Sequence, residues 1–162
     1  RGIVSGFVGG TFRPDGPVTR QQFAKMIIKA MGYPVSEADV CVFSDVGKGM
    51  DPNDPLYPDN YVAVCASRGI TLGKEPGKFC PYDPITRAQL TTMVARSANL
   101  SEPPIDYVPP FNNFSADHYP WARRAAYAGL LEGLDGVGPG YPFFAPATRG
   151  EVCVLLYNVL NR

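Results

Sequence analysis

The chain has 162 residues, of which 45% are hydrophobic and 19% charged, values typical of a folded globular protein rather than a disordered one. Its 15 Lys and Arg balance its 15 Asp and Glu, so it lacks the basic excess of a nucleic-acid-binding protein. No apolar run approaches the roughly 18 residues of a membrane-spanning helix. The chain opens on Arg1-Gly2-Ile3 without Met or signal peptide, so we predict a mature or trimmed piece of a longer protein.

One pattern occurs three times: a glycine followed by an apolar residue, a second glycine, a Phe-x-Pro sequence and a Thr-Arg pair. Its markers are Gly2, Gly6, Phe12, Pro14, Thr19 and Arg20, then Gly69, Gly73, Phe79, Pro81, Thr86 and Arg87, then Gly129, Gly133, Phe144, Pro146, Thr148 and Arg149. The Thr-Arg arginines are 67 and then 62 positions apart. Self-similarity at such a period is typical of repeat architectures. We divide the chain into repeats at 1–40, 41–104 and 105–162.

The predicted elements alternate between long and short helices. After Arg20, hydrophobic residues recur at the spacing of an amphipathic helix, and the same spacing follows Arg87 and Arg149. Shorter helices are predicted at about 59–68 and 119–128, each followed by a glycine in C-cap position. We therefore predict a mainly α fold in which each repeat is a helix, an ordered Gly/Pro loop and a second helix. One such unit buries too little surface alone, so the three must share a core.

The Thr-Arg pairs are the candidate binding residues. Each long helix begins with a capping box, in which Thr is followed three positions later by Gln or Glu: Thr19 and Gln22, Thr86 and Gln89, Thr148 and Glu151. The following arginine lies where the helix dipole favours an anion. We therefore hypothesise that Arg20, Arg87 and Arg149, together with the helix amides, bind a carboxylate. The alternative is an ion pair with a carboxylate of a neighbouring repeat, for example Asp45.

Two aromatic residues and three glycines complete the candidate site. Tyr61 and Trp121 each lie eight residues before the repeat glycine and would stack on a sugar face, with core packing as the alternative. Gly6, Gly73 and Gly133 are predicted to supply positive φ or a close backbone approach. Whether a ligand or only the loop needs that approach stays open at this point.

Other chemistry has little support in the sequence. Cys41, Cys65, Cys80 and Cys153 have no CxxC spacing, and His118 is the single histidine, so we expect neither a zinc site nor a catalytic triad. The four cysteines allow three disulfide pairings, but Cys65 and Cys153 fall in helical patterns, where free thiols are favoured. We expect no metal, no cofactor and no enzymatic activity.

These residues resemble the S-layer homology family over nearly the whole chain. Residues 2–20, from Gly2-Ile3 to Val18-Thr19-Arg20, are similar to the family's loop and helix start, and Phe43-Ser44-Asp45-Val46 is similar to its repeat opening. The resemblance implies a pseudo-threefold helical assembly with grooves between repeats. It also implies a secreted, extracellular protein of the bacterial cell wall or S-layer.

The ligand implied by the resemblance is a secondary cell-wall polysaccharide, often carrying pyruvylated N-acetylmannosamine, whose carboxylate fits the arginine hypothesis. Carried over residue by residue, Arg20, Arg87 and Arg149 match the family's anion-binding arginine, Asp45 its opening Asp, and Tyr61 and Trp121 its aromatic. The function expected is non-covalent anchoring of a surface protein to the wall.

The sequence departs from the family pattern in its first repeat, which lacks the opening block and first helix. That helix would lie upstream, come from another chain or be missing altogether. The alternative function is therefore a structural assembly module that has lost glycan binding and self-associates or binds partner surface proteins. A third hypothesis is an appendage of a larger surface enzyme.

Overall fold

A computed structural model describes residues 2–162, and within that range the protein contains five α-helices and no β-strand. The helices are α1 (Arg20–Met31), α2 (Asp59–Ser67), α3 (Arg87–Ser97), α4 (Tyr119–Tyr127) and α5 (Arg149–Leu160). The long helices α1, α3 and α5 follow the three Thr-Arg pairs, and α2 and α4 are the two shorter ones. The predicted mainly α fold is confirmed.

The three long helices begin in the same way. In each, the threonine before the helix accepts a hydrogen bond from the amide three residues later, and the Gln or Glu side chain there accepts one from the threonine amide. All three predicted capping boxes are therefore formed. The two short helices end two residues before Gly69 and Gly129, whose φ angles of 67° and 73° are the left-handed values that a helix-terminating glycine supplies.

The loops that precede the long helices close into a ring. The backbone amides at the starts of α1, α3 and α5 donate to carbonyls of another repeat: Arg20 to Asp83 (2.9 Å), Arg87 to Ala145 (3.0 Å) and Arg149 to Gly16 (2.9 Å). The first repeat thus bonds to the second, the second to the third and the third back to the first. Isolated β-bridges between the same loops repeat this order. The arrangement has the pseudo-threefold symmetry that the family resemblance implies.

The long helices also build the common core. α1, α3 and α5 contact one another in all three pairs, and their inward residues are buried. Among the most completely buried of these are Phe23, Ile27, Leu90, Val94 and Leu155. On the outside, α2 packs against α1, and α4 packs against α3. Within residues 2–162, the only helices that contact α5 are α1 and α3.

The cysteines are all free thiols. Cys65 is fully buried in the core, as the helical pattern predicted, and burial raises the pKa of its thiol. Cys153 is only partly buried, because no neighbouring helix covers its side of α5. No helix in residues 2–162 has the length and apolar character needed to cross a membrane. The repeat boundaries at 40/41 and 104/105 remain a prediction, with α1 in the first repeat and two helices in each of the others.

Candidate functional site

A groove between the second and third repeats lies beside the start of α1. This Arg20 groove has a volume of about 340 Å³ and is formed by Arg20, the loop after α2, one face of α3 and the N-terminal end of α4. Its polar lining residues are Arg20, Thr71, Lys74, Gln89, Thr92, Arg96, Asp117 and His118. Ile70, Leu72 and Met93 add apolar surface.

Arg20 lies at the inner wall of this groove and is only 2% exposed. Its Nε donates to the Phe79 carbonyl at 2.7 Å, and its guanidinium carbon lies 4.6 Å from the centre of the Phe79 ring. Among the residues described, its buried Nη2 has no hydrogen-bond partner. Burial lowers the pKa of the guanidinium, but arginine keeps its charge in proteins. A buried cation with an unused donor is costly, and an anion in the groove would relieve that cost.

Two further cations face the same space. Arg96 from α3 is partly buried, and Lys74 from the loop is exposed and bonded to the Asp83 carboxylate. Asp117 is the one carboxylate among the lining residues, so cationic groups are in excess in this groove. A local excess of positive charge in a chain of zero net charge favours an anionic ligand at this place.

His118 closes one side of the groove from the N-terminal end of α4. Its Nδ1 lies 2.8 Å from the Thr92 hydroxyl of α3. Burial lowers the pKa of His118, with Asp117 opposing that effect and Arg96 and Arg20 adding to it. The imidazole is therefore neutral at pH 7, and its role here is to join α4 to α3 at the groove wall.

A second groove is related to the first by the repeat. This Arg149 groove, of about 330 Å³, is lined by Arg149, Ile3, Gly6, Gln22, Lys25, Met26 and Lys29, among others. Ile3, Gly6, Gln22, Met26 and Lys29 lie 67 positions before Ile70, Gly73, Gln89, Met93 and Arg96 of the Arg20 groove. The two grooves are therefore copies of one site.

Arg149 takes the place of Arg20 in this second groove. It is buried, its Nε donates to the Phe12 carbonyl at 3.1 Å, and one terminal nitrogen donates to the Ser5 carbonyl at 2.5 Å. Its guanidinium carbon lies 4.9 Å from the Phe7 ring centre and 5.0 Å from that of Phe12. Lys25, whose amine pairs with Asp54 at 2.7 Å, and Lys29 supply the other positive charges.

A third groove, which shares with the other two the repeat positions of Gly133, Glu151 and Val154 but is not lined by Arg87, has the opposite character. It has a volume of about 300 Å³, and its lining contains the carboxylates of Asp15, Asp135 and Glu151 but no lysine or arginine. The corresponding arginine, Arg87, pairs with Glu151 at 2.7 Å, and this hydrogen bond raises the pKa of the guanidinium. The inter-repeat ion pair considered for these arginines is thus present at Arg87, with Glu151 as partner rather than Asp45.

Asp45 and the two predicted aromatic residues lie outside the groove surfaces. The Asp45 carboxylate accepts from the amides of Phe79 at 2.9 Å and Cys80 at 2.8 Å, so it caps its own repeat's loop. Burial raises its pKa, but these amide hydrogen bonds outweigh that effect and hold it below the ordinary value. Tyr61 is buried and donates to Asp54 at 3.1 Å, and burial together with Asp54 raises its pKa to about 12.

Trp121 lies one shell behind the Arg20 groove. It is partly buried on α4, and its ring centre lies 5.1 Å from the guanidinium carbon of Arg96 and 4.2 Å from that of Arg124. The Trp121 ring therefore makes a cation–π contact with Arg96, which holds the Arg96 side chain at the groove wall. The structure brings Trp121 to the groove indirectly and places Tyr61 in the core.

The three predicted glycines line one groove each, Gly73, Gly6 and Gly133 in turn. Gly73 has φ 86°, and an added Cβ there would lie 2.7 Å from the Lys78 carbonyl oxygen. Gly133 has φ 80°, whereas Gly6 has no positive φ but would bring a Cβ within 3.1 Å of the Thr11 oxygen. The loop itself requires these glycines.

Sequence reasoning missed several groove residues: Lys74, Arg96 and His118 in one groove, Lys25 and Lys29 in the other. A signal was present, because Lys29 and Arg96 occupy the same repeat position in the helices that follow Arg20 and Arg87. They fall outside the shared motif, whose residues mostly build the loop.

Comparison with known proteins agrees with the fold and with the repeat. The family model of the S-layer homology domain matches residues 1–24 and 43–91. The middle cell wall protein of Brevibacillus brevis is 28% identical over 160 residues, which are 99% of this chain and 14% of that protein. An endoglucanase of a Bacillus species is 32% identical over 100 residues, 62% of this chain and 10% of that enzyme.

The surface layer protein of Brevibacillus choshinensis is 28% identical over 96 residues, 59% of this chain and 8% of that protein. The chain therefore spans only a small part of the length of these relatives. The matched ranges include both markers on which the resemblance rests, the loop up to Thr19-Arg20 and the opening Phe43-Ser44-Asp45-Val46. With its helical repeats closed into a ring, the chain belongs to the S-layer homology family and is a module of the bacterial cell surface.

Proposed function

We propose that this module anchors a surface protein non-covalently to the bacterial cell wall by binding an anionic, carboxylate-bearing wall polysaccharide. The Arg20 groove is the principal site, and the Arg149 groove is a second copy. The observation that carries the proposal is the buried Arg20 guanidinium, which belongs to the groove lining and whose Nη2 has no partner among the described residues.

The chemistry of the groove suits a sugar that carries a carboxylate. A carboxylate oxygen is the acceptor that an unused guanidinium nitrogen prefers, and Lys74 and Arg96 add charge around it. The apolar side chains of Leu72 and Met93 offer a surface for the sugar ring. A pyruvylated N-acetylmannosamine, the sugar implied by the family resemblance, has both features.

The proposed role is binding rather than catalysis. Some relatives are enzymes, among them the endoglucanase, but this chain covers only 10% of that enzyme's length. A binding module joined to separate catalytic domains accounts for this small share of the enzyme's length. The reactions named for those relatives therefore belong to parts of them that this chain does not match.

The proposal separates the three grooves, although sequence treats their arginines alike. Arg87 is not in the lining of the acidic third groove, and its guanidinium is already paired with Glu151, which is in that lining. Two of the three grooves are therefore proposed as glycan sites, and the third as a structural contact.

The test is binding of the chain to purified cell walls, before and after the secondary polymer is stripped, with Arg96→Gln as the groove variant. Arg96 is partly buried and its side chain lines the groove. It forms none of the backbone hydrogen bonds that close the ring of loops, so the variant is expected to fold. Lys48→Gln is the matched control, since it removes an exposed cation outside all three grooves.

We expect binding to disappear on stripping and to weaken about ten-fold in Arg96→Gln, since a hydrogen bond to a charged group contributes about 1.5 kcal/mol or more. Lys48→Gln should bind as wild type does. Equal binding by both variants would reject the Arg20 groove, and equal binding to stripped walls would reject the polysaccharide as ligand.

A further inference from the structure

The residue that precedes each short helix differs between the two cationic grooves. α2 and α4 are both nine residues long, and their N-cap residues are Pro58 and His118. His118 lines the Arg20 groove, whereas Pro58 is not among the residues that line the Arg149 groove. The two grooves resemble each other in their buried arginines, but only the Arg20 groove contains a side chain that ordinarily titrates near neutral pH.

Four charged side chains share the groove with His118. Arg20 comes from the start of α1, Lys74 from the loop after α2 and Arg96 from α3, and Asp117 directly precedes the histidine. Lys74 is already in an ion pair with a carboxylate outside the groove lining. Burial is the main cause that lowers the pKa of His118; Asp117 raises it, and Arg96 and Arg20 lower it further. Without a bound anion, two guanidinium groups therefore oppose a positive charge on this ring.

An anion in the Arg20 groove would change that balance. The buried Nη2 of Arg20 has no partner among the described residues, so a carboxylate bound there would complete its hydrogen bonding. The same carboxylate would offset the repulsion that Arg20 and Arg96 exert on a protonated His118. An opposite charge within about 4–6 Å favours the charged form of a titratable group. Anion binding therefore makes protonation of His118 more favourable.

The hydrogen bonding of the imidazole is compatible with a second proton. Its Nδ1 lies 2.8 Å from the Thr92 hydroxyl, which can donate to a neutral ring and accept from a protonated one. Among the described residues, Nε2 of His118 has no hydrogen-bond partner. A protonated ring would keep Thr92 as the partner of Nδ1 and would have Nε2–H free to donate to an oxygen of the ligand.

We propose that His118 is a ligand-binding residue of the Arg20 groove and takes up a proton when the groove binds a carboxylate, so that this groove binds the anionic polysaccharide more tightly as the pH falls. The Arg149 groove has no histidine in its lining and lacks this response. The inference rests on the proposed function, because it requires the carboxylate of the polysaccharide in the Arg20 groove.

A purely structural role for His118 predicts a different pH response. If the ring only joined α4 to α3, its protonation at low pH would disturb the groove wall and would bring no gain in ligand binding. Affinity for an anion would then stay constant or fall with the pH. The sign of the pH dependence therefore separates a ligand contact from a structural contact.

The test is calorimetric titration with the methyl glycoside of pyruvylated N-acetylmannosamine at about pH 7.5 and pH 5, on either side of the ordinary histidine pKa. His118→Gln keeps a hydrogen-bonding group opposite Thr92 but does not titrate. Lys29→Gln is the matched control, since it removes a cation of the Arg149 groove and leaves the Arg20 groove unchanged. Circular dichroism at both pH values verifies that each protein is folded.

We expect wild type and Lys29→Gln to bind this sugar about five-fold more tightly at the lower pH and to take up protons on binding. Titrations in buffers of different ionisation enthalpy measure that uptake. His118→Gln should bind equally at both pH values and take up none. Because the chain has a single histidine, nuclear magnetic resonance follows its ring directly, and the ring should titrate at higher pH with the sugar than without it.

Equal or weaker wild-type binding at pH 5 would overturn the inference and leave the proposed function intact. A pH dependence that persists in His118→Gln, or a ring titration that the sugar does not shift, would overturn it in the same way. The unpyruvylated methyl glycoside of N-acetylmannosamine distinguishes the other failure. If it binds as tightly as the pyruvylated sugar at both pH values, the carboxylate is not recognised, and the proposed function fails together with this inference.

Discussion

At the scale of single residues, the same arginine has three different surroundings in one ring. Arg20 is buried with an unused nitrogen, Arg149 is satisfied by two carbonyls, and Arg87 is paired with Glu151. The capping box places all three alike, and the neighbouring repeat decides what each one meets. Position within a repeat therefore fixes where the guanidinium lies, and the partner repeat determines which groups that guanidinium contacts.

The Arg87–Glu151 pair gives a residue-scale prediction that a double-mutant cycle measures. Glu151→Gln keeps the capping box, since Gln22 and Gln89 fill that position in the other helices, but it removes the charge. Both side chains are 18% exposed, so the coupling free energy should lie between surface and buried values, at about 1 kcal/mol.

The measurement is urea unfolding of wild type, Glu151→Gln, Arg87→Gln and the double variant. Additive losses of unfolding free energy would show that the pair contributes nothing. Arg87 would then again be a candidate for binding the polysaccharide.

At the scale of elements, the sequence predicted each helix because its start and end have local chemical causes. The Thr-x-x-Gln/Glu boxes fix the starts of the long helices, and Gly69 and Gly129 follow the ends of the short ones. Side-chain contacts between repeats have no local sequence pattern of this kind that would predict them. That Arg20 reaches the Phe79 carbonyl, or that Tyr61 turns into the core, depends on how the ring closes.

The candidate site was predictable to the same extent. The repeat identified the arginines and the glycines of the loop, and both line or border the grooves. The acidic lining of the third groove comes from Asp15 of the first repeat and Asp135 of the third, which meet only when the ring closes. Sequence comparison within one repeat could not separate that groove from the others.

The pairing of α3 with α4 gives an element-scale prediction through His118. Its folded pKa is lowered chiefly by burial, while in the unfolded chain the imidazole titrates near the ordinary 6.5. Above that value both states are neutral and the residue adds no pH dependence. As the pH falls below 6.5, the unfolded chain takes up a proton that the folded protein resists, so stability declines.

His118→Gln keeps a hydrogen-bonding group opposite Thr92 but does not titrate. Between about pH 7 and pH 5, wild type should therefore lose more unfolding free energy than the variant does. Urea unfolding at the two pH values measures the difference. An equal loss in both proteins would mean that His118 titrates normally in the folded state.

At the scale of the whole molecule, ring closure distinguishes this fold from a linear array of repeats. In a linear array each repeat contacts only its neighbours, and the ends can unfold separately. Here the Arg149 amide bonds to Gly16, and α5 contacts α1, so first and last repeats are also neighbours. The three repeats share one core, because a single repeat cannot bury its own apolar side chains by itself.

Unfolding should therefore occur in one step that every probe reports alike. Trp121, the single tryptophan, reports on α4, and far-ultraviolet circular dichroism reports on all five helices. Ile27→Ala in α1 should cost about 2–5 kcal/mol, the range for a buried isoleucine. Because α1 belongs to the first repeat and does not contact α4 of the third within the described chain, a matching shift of the Trp121 transition would have to pass through the ring. Tyr157→Ala on the exposed side of α5 should move neither transition, and a Trp121 transition that stays in place in Ile27→Ala would mean that the repeats unfold independently.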